Sequence, residues 1–89
     1  MKISEEKKTK ICEQILAYLF NKNPQAIFTS YISKEIARDE EYIKKLLIEL
    51  KSKQLVVEIK KNKEGINYLK RSRWQLSKKA YEFYLNIQK

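Results

Sequence analysis

Apolar positions along the chain follow two different periods. In the first stretch Ile11, Ile15, Tyr18 and Leu19 recur at spacings of three and four, with Cys12 and Leu16 beside them. That period predicts an amphipathic helix with a broad apolar face. Ser4 or Thr9 is placed to cap it. Asn23-Pro24 ends it near Asn21, because the residue before a proline is pushed out of the helical region. Ala26-Ile27-Phe28 reads as a short extended stretch. Thr29 or Ser30 then caps a second helix, in which Ile32 and Ile36 lie four apart and face inward. Glu35 is displaced from the place a full capping box requires. Ala37 is small enough to admit another helix, and Arg38-Asp39 makes a break. Asp39 is a good N-cap, and Glu40 and Glu41 suit the positive end of a helix dipole. A third helix follows to about Lys53. Its inward stripe is Ile43, Leu46, Leu47 and Leu50, and its other face carries Glu41, Tyr42, Lys44, Lys45, Ile48 and Glu49.

The period then changes. Leu55 to Lys60 is β-branched and reads as a strand. Asn62-Lys63-Glu64-Gly65 is the strongest turn signal in the chain. A returning strand begins at Ile66-Asn67-Tyr68-Leu69 and ends at Arg73-Trp74-Gln75-Leu76, which makes a hairpin. Ser77 caps a last helix holding Ala80, Tyr81, Phe83, Tyr84, Leu85 and Ile87. That helix is apolar on more than one face, so one face packs inward and another needs a partner. The order is helix, strand, helix, helix, strand, strand, helix: a mainly α, α+β fold with a small hairpin. There is no internal repeat or linker, and 89 residues predict one domain. So short a chain has a small core that dimerisation would help.

Composition narrows the chemistry. Without His, and with one Cys and one Gly, the chain lacks an imidazole base, the ligands of a zinc site and a glycine-rich phosphate loop. Nothing singles out a catalytic constellation, so no enzyme activity, metal or cofactor is expected. Cys12 reads as a small core residue, and a lone Cys suits a reducing, cytoplasmic compartment. No apolar run approaches the ~20 residues of a membrane span.

The net charge is +9. It is unevenly spread. Residues 58–73 carry Lys60, Lys61, Lys63, Lys70, Arg71 and Arg73 against Glu58 and Glu64, a net +4, whereas residues 34–53 carry +1. Basic side chains flanking one turn can project together onto phosphates and release counterions. Such lysines also guard exposed strand edges against pairing.

The run from Thr29 to Val56 resembles a helix-turn-helix followed by a wing. Arg73-Trp74-Gln75-Leu76-Ser77-Lys78-Lys79-Ala80 is similar to the ending of the wing in MarR-like and PadR-like winged helix-turn-helix regulators. The resemblance covers about residues 9–88. It implies a double-stranded DNA-binding transcriptional regulator whose recognition helix starts at Asp39. It puts Glu41, Tyr42, Lys44 and Lys45 near base edges or phosphates, and Ser30, Tyr31, Ser33 and Lys34 toward the backbone. Lys60 to Arg71 would form the wing. The first and last helices, with Tyr81, Tyr84 and Leu85 at helical spacing, would form a homodimer interface. No residue identifies a small-molecule effector.

Two positions depart from the pattern. Gln54 stands where the family usually has Gly, which implies modest strain or a different helix end. Ala80 replaces another common Gly. Glu40 and Glu41 put negative charge where a recognition helix meets DNA, although Glu can accept from cytosine N4. Two further readings therefore stay open: a winged-helix module that docks on protein in a transcription or replication assembly, and a sequence-neutral nucleoid binder.

Overall fold

The computed structural model describes residues 5–60 and 72–87. Its elements run α1 (Glu5–Lys22), β1 (Ile27–Phe28), α2 (Thr29–Ile36), α3 (Glu40–Ser52), β2 (Val56–Ile59), β3 (Arg73–Leu76) and α4 (Lys78–Ile87). This is the order expected from the hydrophobic pattern. The Ser4 cap, the Asn62–Gly65 turn and the Ile66–Leu69 strand lie outside the described residues. Thr9 lies inside α1 and caps nothing.

The three strands form one antiparallel sheet in the order β1-β3-β2. The sequence marks β1 as a short extended stretch but pairs only β2 with β3. Ile27 and Phe28 add a third strand by pairing with Trp74 and Arg73, while Glu58 and Ile59 pair with the same two residues from the other side. Strand alternation then aims Trp74 and Leu76 at the core, both buried. Val56, opposite Leu76, is buried beside them.

The helices close over that sheet. Ile11, Ile15, Leu16 and Leu19 of α1, Ile32 of α2 and the α3 stripe of Ile43, Leu46, Leu47 and Leu50 make one apolar cluster with Trp74. Ile36 and Cys12 pack against its edge. Burial pushes the Cys12 thiol upward, which keeps it protonated and fits the role of a packing residue.

Helix ends explain the turn between α2 and α3. Neither Thr29 nor Ser30 caps α2. Phe28 is its N-cap and makes no side-chain bond there, since a phenyl ring has no oxygen to accept a helix N–H, and the Thr29 hydroxyl is used elsewhere. It accepts the Trp74 indole N–H at 2.8 Å inside the core. At the other end Ala37 is exposed and adopts the left-handed region (φ 59°), so its small size serves no helix contact. Its N–H donates to the Lys34 carbonyl, and the Arg38 N–H donates to that of Ser33. Asp39 caps α3 as expected, its carboxylate accepting the Tyr42 N–H at 3.1 Å.

α3 closes the same way. Gln54 is left-handed at φ 64°, Gln54 N–H donates to Lys51 and Leu55 N–H reaches back to Leu50. This is a Schellman closure with a non-glycine at its left-handed residue, as the missing glycine implied. Ser77 caps α4, its hydroxyl accepting the Ala80 N–H at 3.1 Å. The Asn23–Pro24 peptide is cis, and the Pro24 carbonyl accepts Gln75 Nε2 at 2.7 Å.

The Trp74–Thr29 bond gives a stability prediction. Thr29→Val keeps the shape but leaves the indole N–H, in a fully buried ring, without its acceptor. It should cost ~1–3 kcal/mol in urea unfolding, while Thr29→Ser retains most of the stability. Equal midpoints for Thr29→Val and the unaltered chain would show that the bond contributes nothing.

Candidate nucleic-acid interface

Three features of α3 set its outward face. The apolar stripe faces the core, the Asp39 cap fixes the first turn, and two ion pairs hold the flanks. Lys8 of α1 reaches Glu49 at 2.9 Å, and this contact pushes the Lys8 ammonium above its ordinary value. Lys51 reaches Glu58 of β2 at 3.0 Å.

Those pairs engage acidic groups that would otherwise oppose an anionic ligand. Burial pushes the Glu58 carboxyl up. Hydrogen bonds from Ser72 and Lys51, together with the charges of Lys51 and Lys60, outweigh it and hold the group below its ordinary value. Lys60 is exposed and lies 3.9 Å from the same carboxylate.

Between the two flanks Lys44, Lys45 and Ile48 project to solvent. Neither Lys44 nor Lys45 is tied to a carboxylate among the described residues. Glu41 is exposed one turn before them. Tyr42 is different: it is half-buried and packs against the core, so only part of it belongs to the outer face.

On α2 the expected residues separate. Tyr31 and Lys34 are exposed, with the Tyr31 ring edge-on to Phe28 at 5.9 Å. Ser30 is half-buried. Ser33 is buried, and its hydroxyl donates to the Ser30 carbonyl at 2.9 Å, so it faces the body of the domain instead of an open surface. Arg73 is half-buried in β3 between Phe28 and Ile59. Lys61, Lys63, Lys70 and Arg71 lie outside the described residues.

The residues expected at a dimer interface also divide. Tyr81 and Tyr84 stack on Phe20 of α1, with ring centroids 5.3 Å and 5.8 Å apart, and thereby cover the core of their own chain. Leu85 is exposed. So are Phe83 and Ile87, which the sequence marks only as part of an apolar helix. With Leu16, Leu55, Lys79, Ala80 and Tyr84, Phe83 and Ile87 line an apolar groove of about 460 Å³. Phe20 carries a sequence signal, one turn after Leu16, but its partners become visible only once β3 and α4 are placed.

Among the described residues no helix is long and apolar enough to cross a membrane, and no group of three His, Cys, Asp or Glu could hold a metal.

No protein-family model and no curated protein matches the chain. Solved structures do. They are of MepR, a transcription regulator of the Staphylococcus aureus multidrug efflux pump MepA and a MarR-family winged helix. A MepR point mutant from a multidrug-resistant S. aureus clinical isolate matches with a TM-score of 0.71 and 17% identity, over 86% of this chain and 53% of that one. MepR in its DNA-binding conformation matches with a TM-score of 0.67 and 17% identity, over 98% of this chain and 57% of that one. A MepR mutant bound to an oligodeoxyribonucleotide matches with a TM-score of 0.65 and 20% identity, over 94% of this chain and 67% of that one. The chain therefore has the MarR-like winged-helix fold, and it spans a little over half the length of the first of these structures.

The Glu58 contacts yield a pH prediction. A carboxyl held below its unfolded value stabilises the fold above that value, and the contribution is lost as pH falls through the folded one. Stability should therefore decline on acidification below the ordinary glutamate range of about 4.3. Glu58→Gln should flatten that part of the decline in urea unfolding measured across acidic pH. An unchanged profile would remove Glu58 from the acid response.

Proposed function

We propose that this chain is a sequence-specific regulator that binds double-stranded DNA, with α3 in the major groove and the basic segment 60–73 on adjacent backbone or minor groove. The observation that supports it best is the outward face of α3. Lys44 and Lys45 stand there without a carboxylate partner among the described residues, on a fold shared with a MepR structure bound to an oligodeoxyribonucleotide. Tyr31 and Lys34 of α2 supply backbone contacts beside it, and Glu41 accepts from a base edge.

Two copies would engage one site. The exposed Phe83, Leu85 and Ile87 of α4, beside the groove onto α1, form the self-association surface. A two-fold dimer then favours a palindromic site with half-sites about 10 bp apart or a multiple of that.

A salt-titrated anisotropy series tests the reading. Lys44→Ala with Lys45→Ala should weaken duplex binding and reduce the salt slope by about 0.9 for each phosphate no longer neutralised. Removing Lys70 and Arg71 together should do the same for the wing. Duplex binding by neither the chain nor its variants, alongside a defined protein complex, would favour the protein-docking module. Equal affinity for every duplex would favour a sequence-neutral binder. Sedimentation at rising concentration tests the self-association, which a persistent monomer would end.

A further inference from the structure

Ile48 is 51% exposed at the centre of the outward face of α3. At 100° per residue it lies opposite the buried stripe of Ile43, Leu46, Leu47 and Leu50. Lys44 and Lys45 stand one turn before it and Ser52 one turn after it.

The position is locally unfavourable. A β-branched side chain loses rotamer freedom in a helix, and half of this one remains in water. A polar helix former would suit such a site better. Local choices of this kind concentrate where a surface has work beyond folding.

The surroundings identify what covers it. Among the exposed residues of α3, Ile48 is the one aliphatic side chain, and its neighbours are charged or small and polar. Among the described residues of α3 no second exposed apolar side chain adjoins it, so the helix offers no contiguous apolar patch of the kind that marks a protein-docking surface. The site instead offers one methyl-sized apolar contact flanked by two cations. In the major groove of B-DNA the thymine 5-methyl group is an isolated apolar spot between phosphate-lined walls. The nearest acidic neighbour on one flank, Glu49, is held by Lys8, which reduces its repulsion toward phosphate.

We propose that Ile48 is a specificity-determining residue that reads thymine through its 5-methyl group, with Lys44 and Lys45 holding the flanking phosphates. The proposal rests on the DNA-binding reading above and adds the base that is preferred. It favours DNA over RNA as well, because A-form RNA lacks the methyl group and its deep major groove does not admit a helix.

The test uses three alternating duplexes of about 20 bp, roughly two helical turns: dA-dT, dA-dU and dG-dC. The dA-dT and dA-dU duplexes carry the same charge and base-pair edges and differ by the methyl group. Anisotropy at fixed salt should show dA-dT bound about four-fold more tightly than dA-dU for each methyl buried. Ile48→Ala should bind dA-dT more weakly and lose the difference between the two. Alanine is the better helix former at this exposed position, so circular dichroism should show an intact fold. Equal binding of dA-dT and dA-dU overturns the proposal, as does a preference that persists in Ile48→Ala; both leave DNA binding itself standing. Failure to bind any of the three duplexes even at low salt, where phosphate contacts alone should hold them, overturns the proposal together with the DNA-binding reading.

Discussion

Trp74 ties the sheet to the helices, and the placement of the outward helix depends on it. It sits in the middle strand of the sheet, paired in register with Ile27 and Glu58, and it is fully buried. Its indole N–H needs an acceptor, since a buried donor left unmade is expensive. The Thr29 hydroxyl supplies one from the first residue of α2. The sheet is thus bonded to the start of the helix pair, and the pair's second helix is the one that faces outward with lysines. Moving the indole would shift the sheet against α2, and α3 packs directly on both.

The arrangement of charge follows from the same packing. Acidic residues are numerous around α3, which at first weighs against an anionic ligand. Most of them have structural work. Asp39 caps the helix, Glu40 and Glu41 stand in its first turn where the dipole favours them, Glu49 meets Lys8, and Glu58 meets Lys51, Ser72 and Lys60. Lys44 and Lys45 are left to project from the middle of the helix. Near neutrality over residues 34–53 therefore hides a sorted face on α3: carboxylates in the first turn and on the flanks, and the Lys44 and Lys45 ammonium groups between them.

Much of the fold is legible from periodicity. Spacings of three and four mark four helices, Asp39 and Ser77 mark two caps, and Gln54, standing where the resembled family has Gly, implies strain or a different helix end, of which the structure shows the left-handed residue. What escapes is long-range. The Ile27–Phe28 strand is foreseen as an extended stretch, but its pairing with β3 is not. Thr29 has the chemistry of a cap, but its hydroxyl serves Trp74, 45 positions away. The winged-helix resemblance puts Ser33 toward the DNA backbone; it is buried, with its hydroxyl turned back to Ser30. The resemblance assigns Tyr81 and Tyr84 with Leu85 to an interface between copies, yet Phe20 claims both rings, and the exposed apolar positions of α4 are Phe83, Leu85 and Ile87. A helix that is apolar on two faces does not say which face turns inward until its neighbour is placed.

The DNA-binding proposal stands or falls on whether the outward face of α3 meets duplex. Backbone amide shifts of the labelled protein, followed as duplex is added, test it most directly. Perturbed amides should cluster around Lys44, Lys45 and Ile48, with smaller changes near Tyr31 and Lys34. Shifts confined to α4 around Phe83 and Ile87, with α3 unperturbed by saturating duplex, would contradict it.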